Sequence, residues 1–268
     1  MKLSDSKLVL ACCALLLGAL VAPVAGSVEV IPCKAGNKWD YDCVKVLNAR
    51  ITFQGRTMAT AKDASYGSAT YEVASSDDTG GEVLYDYHES RKLKSVSGDT
   101  ESMKLLLKIS NDESGLQIHY SSEDKPHGRE TDEQTYDPPL SYYNESDAAA
   151  GRAWDVGIIR DGDTACPMTG RGAGRETVTV PAGTFENCLK VVYSSDEITG
   201  TMEMWDKTFS ITSGRTRGVY WIAENVGVVK ELEVATSTAE TPGPDGTPVT
   251  VKAAICSVSE LKSGYVLK

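Results

Sequence analysis

The residues best suited to chemistry in this sequence are three histidines and a short acidic motif, and their spacing limits what they can do. His88, His119 and His127 lack the H-x-x-x-H or H-x-H spacing of metal ligands, so we expect them at ordinary sheet or surface positions. Asp161 and Asp163 form the D-x-D pattern that calcium sites use, but the rest of a binding loop is missing. We therefore predict no metal and no cofactor.

Motifs for covalent or phosphate chemistry do not occur either. The sequence contains no G-x-S-x-G elbow, H-E-x-x-H helix or P-loop. Residues 170–174, GRGAG, resemble a phosphate cradle, but no helix N-terminus is predicted after them to supply free N–H groups. Glycoside hydrolysis needs a pair of carboxylates, but acidic residues are so numerous here that finding such a pair does not indicate that activity. The sequence predicts a protein that is not an enzyme.

Aromatic side chains are the remaining candidates for a binding function. The four tryptophans and Tyr220 fall in or beside predicted strands, where an aromatic ring usually fills the core. A curled sheet can instead enclose a ligand cavity lined by such rings. The candidate ligand-binding residues are Trp39, Trp154, Trp205, Tyr220 and Trp221.

Five cysteines follow the first 26 residues: Cys33, Cys43, Cys166, Cys188 and Cys256. Export to an oxidising compartment makes disulfides the expected state. We predict a bond between Cys166 and Cys188, which flank the segment with the Pro-Ala-Gly turn. Cys33 pairs either with Cys43 across a hairpin or with Cys256, which leaves one thiol over. Because no C-x-x-C occurs, no redox or zinc site is predicted.

The elements that would position these residues are strands, and the clearest lie between residues 175 and 234. Apolar and polar residues alternate over 176–180 and 188–193, the pattern of strands with one buried face. Pro181-Ala182-Gly183 between them predicts a tight turn. The alternation returns later, with two sets of residues on opposite faces: Val226, Val228, Leu232 and Val234 on one, and Asn225, Glu231 and Glu233 on the other.

These segments carry a family resemblance. The run VPAGTFENCLKV and the later VYWIAENVGVVKE resemble a motif pair of exported bacterial cell-envelope proteins of unknown function, and GNKWDY resembles that family's entry motif. The resemblance implies an antiparallel sheet curled into an open barrel, similar to that of lipoprotein carriers. No agreed activity accompanies the family, so the resemblance implies no site residues.

Residues 1–26 have the features of a signal peptide, with a helical apolar core over 8–21, two preceding lysines and small residues at Val24-Ala25-Gly26. Cys12 lies inside the apolar core rather than after it, so we expect no lipid anchor there. The rest of the sequence has no long apolar run, which predicts no transmembrane span after cleavage. The predicted location is the bacterial periplasm or the medium.

Removing residues 1–26 leaves 242 residues with 25 basic and 37 acidic side chains, a formal charge of −12. This charge argues against nucleic acid or an anionic membrane surface as a partner. The length suits a single domain, 27–268. GNKWD at residue 36 is echoed by GRAWD at residue 151, which hints at two related halves, about 27–147 and 148–268.

Many short strands with turn signals between them predict an all-β fold: an antiparallel curled sheet that forms an open or half barrel. Residues 121–150 are charged and rich in proline, glycine and small residues, so we expect them to form an exposed connector.

Three functional hypotheses follow. The leading one is a non-enzymatic envelope protein whose sheet binds a lipid, another hydrophobic ligand or a segment of a partner, which a concave apolar cavity would favour. The second is a structural or assembly protein that contacts other envelope proteins, favoured by a filled core and a broad exposed apolar patch. The third is an uncharacterised hydrolase, which requires a cleft with acids or histidines of perturbed pKa.

Overall fold

The computed structural model describes residues 32–78, 82–112, 114–124, 132–204 and 207–268. The predicted signal peptide, with Cys12, lies outside the described residues, as do Trp205 and His127. Whether the chain is one domain with two duplicated halves stays a prediction.

Nearly all of the described chain is β-strand, and its one helix, α1 (Glu145–Ala149), has only five residues. The strands are β1 (Lys38–Phe53), β2 (Arg56–Asp78), β3 (Val83–Ser95), β4 (Thr100–Asp112), β5 (Gly115–Asp124), β6 (Asp132–Asn144), β7 (Ala153–Asp161), β8 (Thr164–Val180), β9 (Gly183–Ser195), β10 (Thr201–Met204), β11 (Lys207–Ala223), β12 (Gly227–Pro242) and β13 (Pro248–Leu261).

The strands form one antiparallel sheet in the order β6-β5-β4-β3-β2-β1-β13-β12-β11-β9-β8-β7, with β10 paired to β11. Most strands pair with their neighbours in sequence, and the pairing of β1 with β13 joins two meanders. The twelve strands of this path curl into a nearly closed barrel. The predicted all-β curled sheet is therefore confirmed, and so is the Pro-Ala-Gly turn, which connects Val180 at the end of β8 to Gly183.

Side chains close the barrel where its two end strands, β6 and β7, meet. The Trp154 indole N–H donates to the Ser141 carbonyl oxygen at 3.1 Å, and the Tyr193 hydroxyl donates to the Tyr142 carbonyl oxygen at 2.9 Å. The rings of Tyr142 and Tyr193 stack with centroids 4.8 Å apart. No backbone pairing joins β6 to β7 in the described part of the chain, so this seam depends on aromatic packing and bonds to carbonyl groups.

The prediction of an exposed connector over residues 121–150 is wrong for most of that range, because β6 occupies residues 132–144. Pro138 and Pro139 are among the prolines that favour a connector over a strand in the sequence. They fall in a gap of the ladder, since β5 pairs with Leu140 and then with Thr135. An end strand of a sheet also tolerates proline, which cannot donate a ladder hydrogen bond.

The two faces of β12 are the reverse of what its alternation suggests. Glu231 and Glu233 are buried inside the barrel, whereas Val234 is 42% exposed on the outer face. The pairing with β11 shifts register near the start of β12, and Val228 and Val229 are both buried there. After this register shift the odd-numbered residues of β12 face inward, so the carboxyl groups of Glu231 and Glu233 point into the barrel.

The predicted disulfide between Cys166 and Cys188 is not formed. In the β8–β9 ladder Cys188 lies opposite Glu176, ten residues along β8 from Cys166. Ten residues of strand span roughly 33 Å, far beyond disulfide reach.

The alternative N-terminal pairs, Cys33 with Cys43 and Cys33 with Cys256, are not formed either. Cys43 lies on the inner face, opposite Ser259, where it is buried. Cys256 lies on the outer face opposite Val46, and Cys33 precedes β1. The barrel is therefore held without disulfides among the described cysteines.

We predict that alkylation of the denatured mature chain, without reductant, adds five carbamidomethyl groups, because no described cysteine is bonded to another. Intact mass spectrometry measures the number, and a parallel sample treated with reductant should give the same mass. Three additions without reductant and five with it would demonstrate a disulfide and contradict the structure.

Candidate functional site

Three of the five aromatic candidates are core residues. Trp39, Trp154 and Tyr220 are buried. The Trp39 indole N–H donates to the Val226 carbonyl oxygen at 2.6 Å, and that of Trp154 donates to Ser141 as described above. Rings with these fixed polar partners fill the barrel interior rather than line an opening.

The fourth candidate, Trp221, lies on the outer face of β11. Its indole N–H donates to the Glu176 carboxylate, and the Lys190 ammonium lies 5.1 Å from the ring centroid. The strand therefore turns Tyr220 inward and Trp221 outward, and the structure does not gather the candidates around one cavity. Trp205, the fifth, lies outside the described residues.

A buried polar cluster crosses the barrel interior. The Arg91 guanidinium of β3 lies 2.8 Å from a Glu89 carboxylate oxygen and 3.5 Å from Glu231 of β12. It also donates to the Tyr71 hydroxyl at 3.0 Å, and the Ser259 hydroxyl donates to Glu231. Burial raises the pKa of the Glu89 carboxyl group and that of Glu231 above the ordinary value, although the adjacent Arg91 guanidinium opposes the shift.

Glu233 adds a third carboxyl group to this interior, without contact to Arg91. It accepts hydrogen bonds from the Tyr220 hydroxyl at 2.5 Å and the Ser257 hydroxyl at 3.2 Å. Burial, with the nearby charge of Glu231, raises the pKa of Glu233 to about 8. Glu233 is therefore largely protonated at neutral pH.

Perturbed carboxyl groups mark many catalytic sites, so access to this cluster decides how it is interpreted. The side chains of Glu89, Glu231 and Arg91 are only 1%, 3% and 11% exposed. Burial also raises the pKa of the adjacent Cys43 thiol to about 11, which leaves it un-ionised and a poor nucleophile. A network sealed in this way offers a substrate no approach, so we interpret it as structural.

The barrel does contain a cavity, of about 460 Å³, away from the candidate aromatic rings. Five strands line it, and on each strand the central lining residue is small. These five are direct cross-strand neighbours in one continuous row: Ala61, Ala49, Ala253, Ser237 and Gly214. These five share inward parity with the core residues of their strands. The lining also includes their polar and charged chain neighbours, among them Arg50, Lys62, Arg215 and Lys252.

Apolar residues continue beyond this row of small residues. Two positions further along, the inner face carries Ile51 on β1, Val251 on β13 and Ala239 on β12, which pack with Met202 and Phe209. This second cluster lies towards the end of the barrel that carries the turn between β12 and β13. The cavity therefore lies between an apolar end cluster and the polar interior around Arg91.

Ser237 is the one residue of the row with a polar side chain, and its hydroxyl is unusual. The residue is 6% exposed, and the hydroxyl makes no hydrogen bond to any described residue. An unpaired buried hydroxyl costs free energy, on the order of 1–3 kcal/mol. It lies on the cavity wall, where a ligand atom could satisfy it.

Sequence reasoning missed this site because it looked for large aromatic side chains. The signal that would have found the row is the recurrence of alanine, glycine and serine at inward positions of five strands. That signal needs the register, since Ala49 and Gly214 are adjacent in space only through the pairing of β1, β13, β12 and β11.

The histidines and acidic residues considered as metal ligands, and for which no metal site is predicted, are dispersed. His119 contacts the Ser110 hydroxyl at 2.8 Å, and Asp163 accepts a hydrogen bond from the Thr201 hydroxyl. Within the described ranges, no three His, Cys, Asp or Glu residues group as metal ligands. Those ranges also contain no helix that is long and apolar enough to span a membrane.

One family model matches part of the chain. Residues 164–234 match the model of a family described as DUF3108-like. The match includes both the Pro-Ala-Gly turn and the Tyr220-Trp221 segment that carry the resemblance described above. It covers 71 of 268 residues, from β8 into β12. No curated protein matches the chain.

Two solved structures are similar over most of their length. One is a Bacteroides fragilis protein provisionally named as exported with a YmcC-like fold, 14% identical, with 91% of this chain and 98% of that chain covered. The other is a provisionally named lipoprotein of Parabacteroides distasonis, 15% identical, with coverages of 87% and 96%. Both have a TM-score of 0.33, too low to carry an argument about this chain.

We predict that Arg91→Met destabilises the protein by roughly 3–5 kcal/mol, because it leaves two buried carboxyl groups without a counter-charge. Urea denaturation measures the loss. Adding Glu89→Gln and Glu231→Gln should recover most of it. The matched control is Lys108→Met, which breaks a partly exposed ion pair with Asp86 and should cost below about 1 kcal/mol. An equally small cost for Arg91→Met would contradict the structural role.

We predict that Glu233 makes the protein less stable as the pH rises. Its folded pKa of about 8 exceeds the ordinary value of 4.5, so its contribution is fully present below pH 4.5 and is lost towards pH 8. Glu233→Gln mimics the protonated acid. It should match the wild type near pH 5 and exceed its unfolding free energy by roughly 3 kcal/mol at pH 8.

Urea denaturation at a series of pH values measures this difference. The exposed Glu186→Gln serves as the control and should follow the wild-type profile. A constant difference between Glu233→Gln and the wild type from pH 5 to pH 8 would rule out the raised pKa.

Proposed function

We propose that this protein is an exported, non-enzymatic binding protein that holds the apolar part of a lipid or similar amphiphile in its barrel. The observation that carries the proposal is the cavity over the row from Ala61 to Gly214. Its volume of about 460 Å³ falls within the range of pockets that enclose small ligands, roughly 300–1,000 Å³. The predicted signal peptide, residues 1–26, supports export.

The lining favours an apolar ligand with one polar group. Methyl groups of Ala49, Ala61 and Ala253 form a smooth wall, and the apolar end cluster lies beyond them. The small side chains of the row expose little hydrogen-bonding capacity, although Arg50, Lys62, Arg215 and Lys252 also line the cavity. Within the row the Ser237 hydroxyl is the exception, and it supports a ligand whose carbonyl, ester or hydroxyl oxygen lies beside the chain.

We predict that Ala61→Leu abolishes ligand binding, because it adds three carbon atoms to the cavity wall at a half-buried position. Titration with a fluorescent fatty acid measures affinity, and we expect a loss of at least tenfold with little change in melting temperature. Native mass spectrometry of protein purified from its own envelope, followed by organic extraction, identifies the natural ligand.

Two further variants sharpen the test. Ala64→Leu adds the same atoms to the outer face of the same strand and should leave affinity unchanged. Ser237→Ala should weaken binding several-fold while leaving the ligand-free protein as stable or more stable, since an unpaired hydroxyl is removed. A wild-type protein that binds no fatty acid and purifies without a bound small molecule would overturn the proposal.

A further inference from the structure

The outer face of six adjacent strands carries two rows of apolar side chains, which we call the apolar belt. The first row follows the strand register through Tyr66, Val44, Val258, Leu232, Val219 and Val192. The second runs two residues further along the strands and includes Val46 and Val234. Val44, Val46, Tyr66 and Val234 are exposed. A contiguous exposed apolar patch of this kind is typical of an interaction surface.

Cations border one side of the belt, although the chain carries a net charge of −11. We define the basic cluster as five exposed residues on strands β1, β2, β11 and β13: Arg50, Lys62, Arg215, Arg217 and Lys252. Arg50 and Lys252 are direct cross-strand partners. Like charges placed opposite each other destabilise a sheet, and none of the five pairs with a described carboxylate.

On the other side of the belt, the carboxylates nearest to it are paired with lysines. Lys262 pairs with Asp42 at 3.1 Å, and Lys230 pairs with Glu260 at 2.5 Å. In a second copy of the chain these carboxylates would already be neutralised, which favours a different anionic partner for the basic cluster. The partner that fits must combine an apolar layer with negative charge.

We propose that the apolar belt and the basic cluster dock this protein onto a lipid surface with anionic head groups. Arg217 lies beside Val234 in the second row of the belt, and the other four cations lie one or two outward positions beyond it, at roughly 7 Å for each position. Side chains at an interface insert roughly 5–10 Å, which would leave the cations near the phosphates. The net charge had argued against such a surface, but attraction near a membrane depends on the charges that face it.

The test is flotation of the mature chain with vesicles of phosphatidylcholine alone or with 30% phosphatidylglycerol. We expect binding to the anionic vesicles that weakens from low to high salt. Arg50→Gln with Lys252→Gln should reduce it about 25-fold, since each cation contributes roughly fivefold. The same double variant should keep or raise the melting temperature, because it removes a repulsive pair.

Matched controls separate the cluster and the belt from general effects. Lys104→Gln with Arg160→Gln removes two exposed cations from β4 and β7 and should leave binding within about twofold. Val46→Asn with Val234→Asn should weaken binding at every salt concentration. Ile158→Asn, at a similarly exposed position on β7, should not.

Three results would overturn the proposal. The first is equal binding to neutral and anionic vesicles, and the second is equal loss in the cluster variant and its control. The third is an absence of vesicle binding with a dimer in sedimentation that the belt variant dissociates, which would assign the belt to contact between copies. Arg50 and Lys252 also line the cavity, so fatty-acid titration of the double variant measures separately whether that site is affected.

Discussion

The contact of Arg91 with Glu89 and Glu231 is the interaction on which the barrel interior depends. Arg91 and Glu89 lie on β3 and Glu231 lies on β12, and β2, β1 and β13 separate these strands in the sheet. The ion pair therefore connects strands four positions apart in the sheet rather than neighbouring strands. A single buried charge would be costly. Arg91 on β3 and Glu231 on β12 therefore each stabilise the inward position of the other side chain. This requirement explains how a strand as polar as β12 can face the core.

The size of the inward-facing side chains changes along the barrel, and this divides the interior into filled and hollow parts. A twelve-stranded barrel is wide, and large side chains are needed to fill it. Buried tyrosines, with Trp39 and Trp154, fill one part, and the polar network around Arg91 occupies the next. Further along the same strands the inward residues shrink to alanine, serine and glycine, and a cavity remains. The hollow part and the filled part of the interior are thus products of one alternating pattern with different residues at its inward positions.

The sequence predicted the strands, the Pro-Ala-Gly turn and the curled all-β architecture, because these depend on local alternation and turn residues. It failed where distant pairing decides the outcome. The burial of Glu231 follows from a register shift and from Arg91, 140 residues away. Cys166 and Cys188 flank a turn in sequence, but the ladder holds them far apart. The row of small residues around Ser237 is visible only after five strands have been aligned.

The pairing of β1 with β13 also bears on the order in which the molecule assembles. These are the first and last strands of the described sheet, yet they lie side by side in its middle, joined over thirteen residue pairs. A chain that emerges amino-terminus first, from a ribosome or an export pore, can form its local hairpins as it appears. It must keep the edge of β1 unpaired until the final strand arrives. The step that unites the two meanders is therefore the last, and the interior is sealed only then.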